Sequence, residues 1–146
     1  MIEFFTAPAP NGWKVAIMLE ECRTAYQPRW VNLAAGDQHS QEYLAINPNG
    51  RIPAITDHAP ADGGEPVTVF ESGAVLLYLA EKTGRFGGGD LRGRTAVNQW
   101  LMWQMGGLGP MAGQAHHFLT YAPAMDPPND LPYAKDRYRA ETGRLY

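Results

Sequence analysis

Between Ile2 and Leu33 the sequence passes from a strand pattern to a helix pattern and back to a strand. Ile2 to Thr6 reads as a short strand, stopped by Ala7-Pro8-Ala9-Pro10. Asn11-Gly12 then opens a helix, with Val15, Met18, Leu19 and Cys22 at i, i+3, i+4, i+7 spacing. "PRWVNL" is the second strand candidate. A helix between two strands of one sheet is a crossover, so these strands should run parallel. That requirement alone directs the chain towards an α/β layer.

The pattern continues with a short helix or turn, "SQEYLAIN", closed by Pro48 and Gly50. "PAITD" and "PVTVF" are the third and fourth strands, on either side of the turn-rich "HAPADGGE". "ESGAVLLYLAEKTG" is a helix apolar almost all round and so expected to be buried, with Lys82 in its last turn and Gly84 as its C′ residue. From Leu91 onwards only helices are expected. "LRGRTAVNQWLMWQM" is helical, "GGLGP" should kink it, and "MAGQAHHFLTY" resumes it. "APAMDPPND" is a loop, and "PYAKDRYRAETGRLY" is a last helix. Its Tyr138, Thr142 and Leu145 form a stripe expected to need partners outside the chain, which reads as cut short.

The chain has 146 residues, which suits one domain or one small domain with part of another. A net charge of −3 and the absence of a basic run argue against a nucleic-acid footprint. Cys22 is the only cysteine, which excludes an internal disulfide, a CxxC pair and a thiolate metal cluster. No apolar run reaches the ~20 residues of a membrane helix. The start "MIEFFTAPAP" lacks the basic segment and apolar core of a signal peptide, so a cytoplasmic location is expected.

In "NPNGRIPAITD", Pro53 offers no N–H to a ladder. On that stretch alone, Pro53 either opens a strand or forms a cis bond that leaves neighbouring backbone groups free for something other than this chain. Glu71-Ser72 stands where a strand gives way to a helix. Helix-start N–H groups and a serine hydroxyl suit a carboxylate, and a glutamate beside them suits an ammonium. The same pair also reads as an ordinary N-cap with a favourable charge.

"APNG", "NPNGRIPAI", "FESGAVLLYLAEKTG" and "QWLMWQMGGLGPMAGQAHHF" together resemble the glutathione S-transferase superfamily, and within it the nu class and the related prion-type nitrogen regulators. The resemblance covers the whole chain, with the C-terminal part shortened. It implies a thioredoxin-like α/β domain of βαβ-α-ββα order over residues 1–86, followed by the first helices of an all-α domain over residues 87–146. It further implies a homodimer that uses glutathione as co-substrate, without a metal.

The resemblance also implies roles for individual residues. Pro53 is cis, and the Ile52 N–H and C=O pair with the cysteinyl unit of glutathione as an added strand. Glu71 and Ser72 read the γ-glutamyl head, and Gln38, after "LAAGD", contacts the tripeptide backbone. Gln99 and Arg137 line the deep pocket, where the forked donors of Arg137 suit a carboxylate, although a surface position is equally open to it. Family members often hold the glutathione sulphur with a Tyr, Ser or Cys near the first helix, and the nu class often has Thr at the position of Ala9, where the prion-type relatives, like this chain, have Ala. Asn11 is then the candidate donor to the sulphur and the catalytic residue, besides serving as an N-cap. Thr6 is a weaker candidate for that contact.

The implied function is thiol–disulfide exchange by bound glutathione thiolate, with organic hydroperoxide reduction beside it. The alternatives are a non-catalytic or regulatory glutathione-binding module and conventional conjugation to electrophiles. Cys22 is expected in the core. His116-His117 are adjacent and therefore expected on different helix faces, unsuited to a metal pair. Met102, Met105 and Met111 with Trp100 and Trp103 are expected to be packing residues.

Overall fold

The computed structural model describes residues 1–146, which divide into two compact units, Met1–Gly93 and Arg94–Tyr146. The first unit is built on a four-stranded sheet of β1 (Ile2–Thr6), β2 (Tyr26–Trp30), β3 (Ala54–Asp57) and β4 (Val67–Phe70). Its spatial order is β2-β1-β3-β4. β1 and β2 are parallel, as the intervening helix α1 (Pro10–Glu21) requires, while β3 is antiparallel to both β1 and β4. β2 begins at Tyr26, earlier than the hydrophobic run suggested, and contains Pro28. Proline is tolerated because β2 is an edge strand, free to lack one donor on its outer side.

Alternation along β1 separates two faces. Ile2, Phe4 and Thr6 are buried on one, and Glu3 and Phe5 lie on the other. Ile2 and Phe4 join Val15 and Leu19 of α1, Ile55 of β3, and Val75 and Leu79 of α3 (Ser72–Thr83) in the core. Each fully buried side chain of this size contributes roughly 1.5–3 kcal/mol against exposure. Helix α3 buries one face, not its whole circumference; Leu77 remains 37% exposed. Gly84 ends it at φ 66, the left-handed C′ conformation expected there. On the opposite sheet face the Tyr43 ring, from α2 (Gln41–Ile46), meets Phe5 edge-on at 6.1 Å. Cys22 lies 3.4 Å from the Thr83 hydroxyl, tying the end of α1 to the end of α3.

In the second unit the interruption expected at "GGLGP" takes the form of a π turn, a kind of site at which helices bend. α4 (Leu91–Trp103) passes through a π turn, Gln104–Leu108, into α5 (Gly109–His116). Pro110 sits in the first turn of α5, where a missing N–H costs little, so the helix widens without ending. A second π turn, His117–Tyr121, leads to a 3₁₀ turn, Ala122–Ala124, and then α6 (Pro132–Leu145). The π turn places Tyr121 against both imidazoles, 4.7 Å from His116 and 6.2 Å from His117, so the two rings share a neighbour despite their adjacency. Two residues of the α6 stripe find partners within the unit, Tyr138 stacking on Phe118 at 5.4 Å and Leu145 lying over Gly107, while the buried Thr142 hydroxyl has none. Trp103, Met105 and Met111 are partly buried, whereas Trp100 and Met102 are exposed, contrary to the packing expected of them.

Candidate functional site

Four segments of the first unit converge beyond the end of β1. Helix α1 starts at Pro10, with Ala9 in the N-cap position and no side-chain cap. Proline presets the φ of a first helical residue, so the helix opens one residue before Asn11, which is therefore not the N-cap. Asn11 is exposed, and its amide makes no hydrogen bond within the chain. Gly12 is buried hard against β1: a Cβ there would run into the Thr6 hydroxyl and lie 2.9 Å from the Ala7 carbonyl. The Thr6 hydroxyl itself is buried beneath this contact and donates to the Ala7 carbonyl at 3.4 Å.

The Ile52–Pro53 bond is cis. Pro53 precedes β3, and the N–H and C=O of Ile52 make no hydrogen bond within the chain. Ala54 pairs with Phe70 at the end of the ladder, so Ile52 lies two residues before that pair and Glu71-Ser72 directly after it. Ser72 is buried as the first residue of α3, and Glu71 before it has φ 70 and ψ 118. For a residue with a Cβ this conformation stores strain of order 1–3 kcal/mol. The Glu71 carboxylate accepts from Asn49 Nδ2 at 3.3 Å. It also acts on Lys14 of α1: burial lowers the Lys14 pKa, and the Glu71 charge pulls it back up. Thus the start of α1, the Asn47–Pro53 loop and the start of α3 meet at Glu71.

Gln38 belongs to a 3₁₀ turn, Asp37–His39. Its amide N–H₂ donates weakly to the Leu33 carbonyl at 3.4 Å, while its buried Oε1 has no partner. The Gln38 carbonyl and the His39 ring close over Gly50, whose φ of 62 already favours glycine. This contact brings Gln38 beside the Ile52 loop. Gln99 and Arg137 belong to the second unit. Gln99 is exposed on α4, and Arg137 is exposed on α6, where its charge helps depress the Glu141 carboxyl.

Residues 9–82 match the family model for the glutathione S-transferase N-terminal domain. The chain belongs to the glutathione S-transferase family. The disulfide-bond oxidoreductase YfcG of Escherichia coli (strain K12) is 55% identical over all of this chain, which spans 66% of that protein. A glutathione transferase of Burkholderia graminis, solved with two glutathione molecules per subunit, is 44% identical with a TM-score of 0.91. The match covers 99% of this chain and 58% of that one. A glutathione transferase of Pseudomonas putida, solved with one glutathione disulfide per subunit, is 42% identical with the same TM-score of 0.91; here the coverage is 99% and 61%. The chain therefore spans less than two thirds of the length of each of these relatives.

The βαβ-α-ββα order read from the sequence is the observed one, and helices alone follow it. Two residues of the candidate site were not legible in the sequence. Asn49 looks like a turn residue in "NPNG", yet its side chain reaches Glu71 across 22 positions. Lys14 stands next to the buried Val15 on α1, a position that becomes meaningful only once the Glu71 charge at the start of α3 acts on it.

Proposed function

We propose that this chain binds glutathione and belongs to a glutathione-dependent disulfide-bond oxidoreductase. The observation that carries the reading is the unengaged Ile52 backbone beside a cis proline, two residues before the Ala54–Phe70 pair that Glu71 and Ser72 directly follow. Ile52 offers one donor and one acceptor to an extended peptide, which docks as an added strand. The start of α3 and Ser72 face the γ-glutamyl carboxylate, and Glu71 its ammonium. Gln38 supplies a buried acceptor still in want of a donor, which a tripeptide N–H satisfies. Gln99 and Arg137 remain the candidates for the deep pocket of the complete protein, Arg137 for a carboxylate.

The chemistry needs no sulphur from the chain. Glutathione thiolate attacks one sulphur of a substrate disulfide, forming a mixed disulfide and releasing a thiolate. A second glutathione thiolate attacks the mixed disulfide, giving glutathione disulfide and releasing the other substrate thiolate. Asn11 donates its amide N–H to the glutathione sulphur at the positive end of α1, which favours thiolate over thiol. The two glutathione molecules of the Burkholderia graminis structure and the disulfide of the Pseudomonas putida structure support this pairing of ligands. The same reading divides the chain into a thioredoxin-like domain at residues 1–86 and a partial helical domain at 87–146. It makes the protein a cytoplasmic homodimer and includes organic hydroperoxides as secondary substrates.

The test is glutathione release from a mixed glutathione disulfide, measured on this chain and on Asn11→Ala. We expect turnover by the parent and a loss of about tenfold or more in the variant, the worth of one hydrogen bond to a charged sulphur. Inertness of the parent chain, or equal rates in both proteins, would overturn the assignment of catalysis to it.

A further inference from the structure

We propose that Tyr43 and Asn47 are positioning residues that aim the Ile52 N–H at the ligand peptide, an inference that rests on the ligand-binding reading of Ile52. Two buried donors converge on the carbonyl of the preceding residue. The Tyr43 hydroxyl donates to the Arg51 carbonyl at 2.7 Å, and Asn47 Nδ2 donates to the same oxygen at 2.6 Å. A carbonyl oxygen has two lone pairs, so this one is saturated. The Arg51–Ile52 peptide is planar and trans, which sets its N–H opposite to its C=O. Fixing the oxygen towards α2 therefore fixes the Ile52 N–H pointing away from it.

Both donors are held from several sides. Asn47 is 2% exposed; its backbone N–H donates to the Tyr43 carbonyl at 2.8 Å, and its Oδ1 accepts from Asn49 N–H at 2.9 Å. The Tyr43 ring packs on Phe5 of β1, and its backbone N–H donates to the Ser40 hydroxyl at 3.2 Å. Burial pushes the Tyr43 hydroxyl up to about 12, so it stays protonated and donating across the working range of pH. Closing the loop needs no such duplication, because Gly50 N–H already donates to the Asn47 carbonyl at 3.0 Å. The saturated carbonyl sits one bond from the N–H that the chain leaves unused. The same loop then sends the Asn49 side chain to Glu71, so one hydrogen-bonded unit addresses both the backbone and the head-group ends of the proposed site.

The experiment is a glutathione titration followed by ¹H–¹⁵N spectra, on the parent chain and on Tyr43→Phe. The phenylalanine keeps the ring against Phe5 and removes only the hydroxyl. In the parent, the Ile52 amide proton is expected to move downfield as glutathione saturates the site. In Tyr43→Phe the dissociation constant is expected to rise about three- to tenfold. The Ile52 displacement at saturation should shrink, while that of Ser72 is retained. Asn47→Asp, which keeps the acceptor for Asn49 N–H and removes the donor to Arg51, should repeat this pattern. An Ile52 amide indifferent to glutathione in the parent would overturn the ligand-binding reading itself. A parent that responds, with the same dissociation constant and the same bound Ile52 position in both variants, would overturn the positioning role alone. So would variants that only melt earlier.

Discussion

The Lys82 ammonium lies 2.7 Å from a carboxylate oxygen of Asp57, an almost wholly buried side chain at the end of β3. The same carboxylate accepts from the Tyr78 hydroxyl at 2.7 Å and from Ala59 N–H at 3.0 Å. Lys82 also donates to the Ala59 carbonyl, so its ammonium fixes the C-terminal half of α3 to the end of β3.

Breaking this pair leaves a buried carboxylate with too few partners. Lys82→Met is expected to cost about 3 kcal/mol of stability, because removing one member strands the other in a poorly solvated place. Burial pushes the Asp57 carboxyl up, but Lys82, Tyr78 and Ala59 N–H together outweigh it and hold it below its ordinary value. A carboxyl whose folded pKa is depressed contributes stability above its unfolded pKa and loses it as pH falls through the folded value. The contribution should thus be full at neutral pH and fade below pH ~4. Urea unfolding of the parent and Lys82→Met between pH 7 and pH 3 checks both points. A gap between the two proteins that stays constant down to pH 3 would sink the argument.

Glu71 holds a backbone conformation that side chains disfavour, with φ 70, at the start of α3. Glu71→Gly removes the Cβ part of that strain and should raise stability by about 1 kcal/mol. Glutathione affinity should fall about tenfold or more, since the carboxylate proposed to read the ammonium is gone. Glu71→Gln separates the effects by keeping the strain and removing the charge: affinity falls, and stability gains nothing from the backbone. Loss of the charge also removes what raises Lys14, whose pKa should drop further in both variants. Thermal unfolding, calorimetric titration and NMR of the Lys14 side chain make the three readings. A Glu71→Gly protein that binds as tightly as the parent contradicts the role given to the carboxylate.

Cys22 pairs with the Thr83 hydroxyl at 3.4 Å between α1 and α3. If both reacting sulphurs come from glutathione, Cys22→Ser should keep disulfide reductase activity within about twofold and lose no more than ~1 kcal/mol of stability. A serine hydroxyl can reproduce the contact with Thr83, and the loss is that of a small, soft, partly buried side chain. Steady-state kinetics with a mixed glutathione disulfide decides it. Loss of most of the activity in a well-folded Cys22→Ser protein would return a protein sulphur to the mechanism.

Much of the first unit could be read from local chemistry, because period-2 and period-3.6 patterns and turn residues act over a few positions. The parallel β1–β2 pair followed from one crossover helix, and Gly84 ended α3 where its sequence position predicted. The left edge of β2 could not be read, since the tolerance of Pro28 depends on an edge position that only the assembled sheet defines. "GGLGP" could be read as an interruption of the helix but not as its form: its glycines and proline fall in a π turn and the first turn of α5.

The proposed site divides along the same line. Sequence by itself determined which residue types are present: one cysteine, an "APNG" turn, an Ile-Pro bond and a Glu-Ser step into a helix. Tertiary structure decided which of them meet. Tyr43 and Asn47 converge on Arg51, Asn49 reaches Glu71, and Gly12 tucks α1 beneath the end of β1. Hydrogen bonds and close approach act over 3 Å, a distance that separations such as the 22 residues from Asn49 to Glu71 do not encode until the sheet has folded.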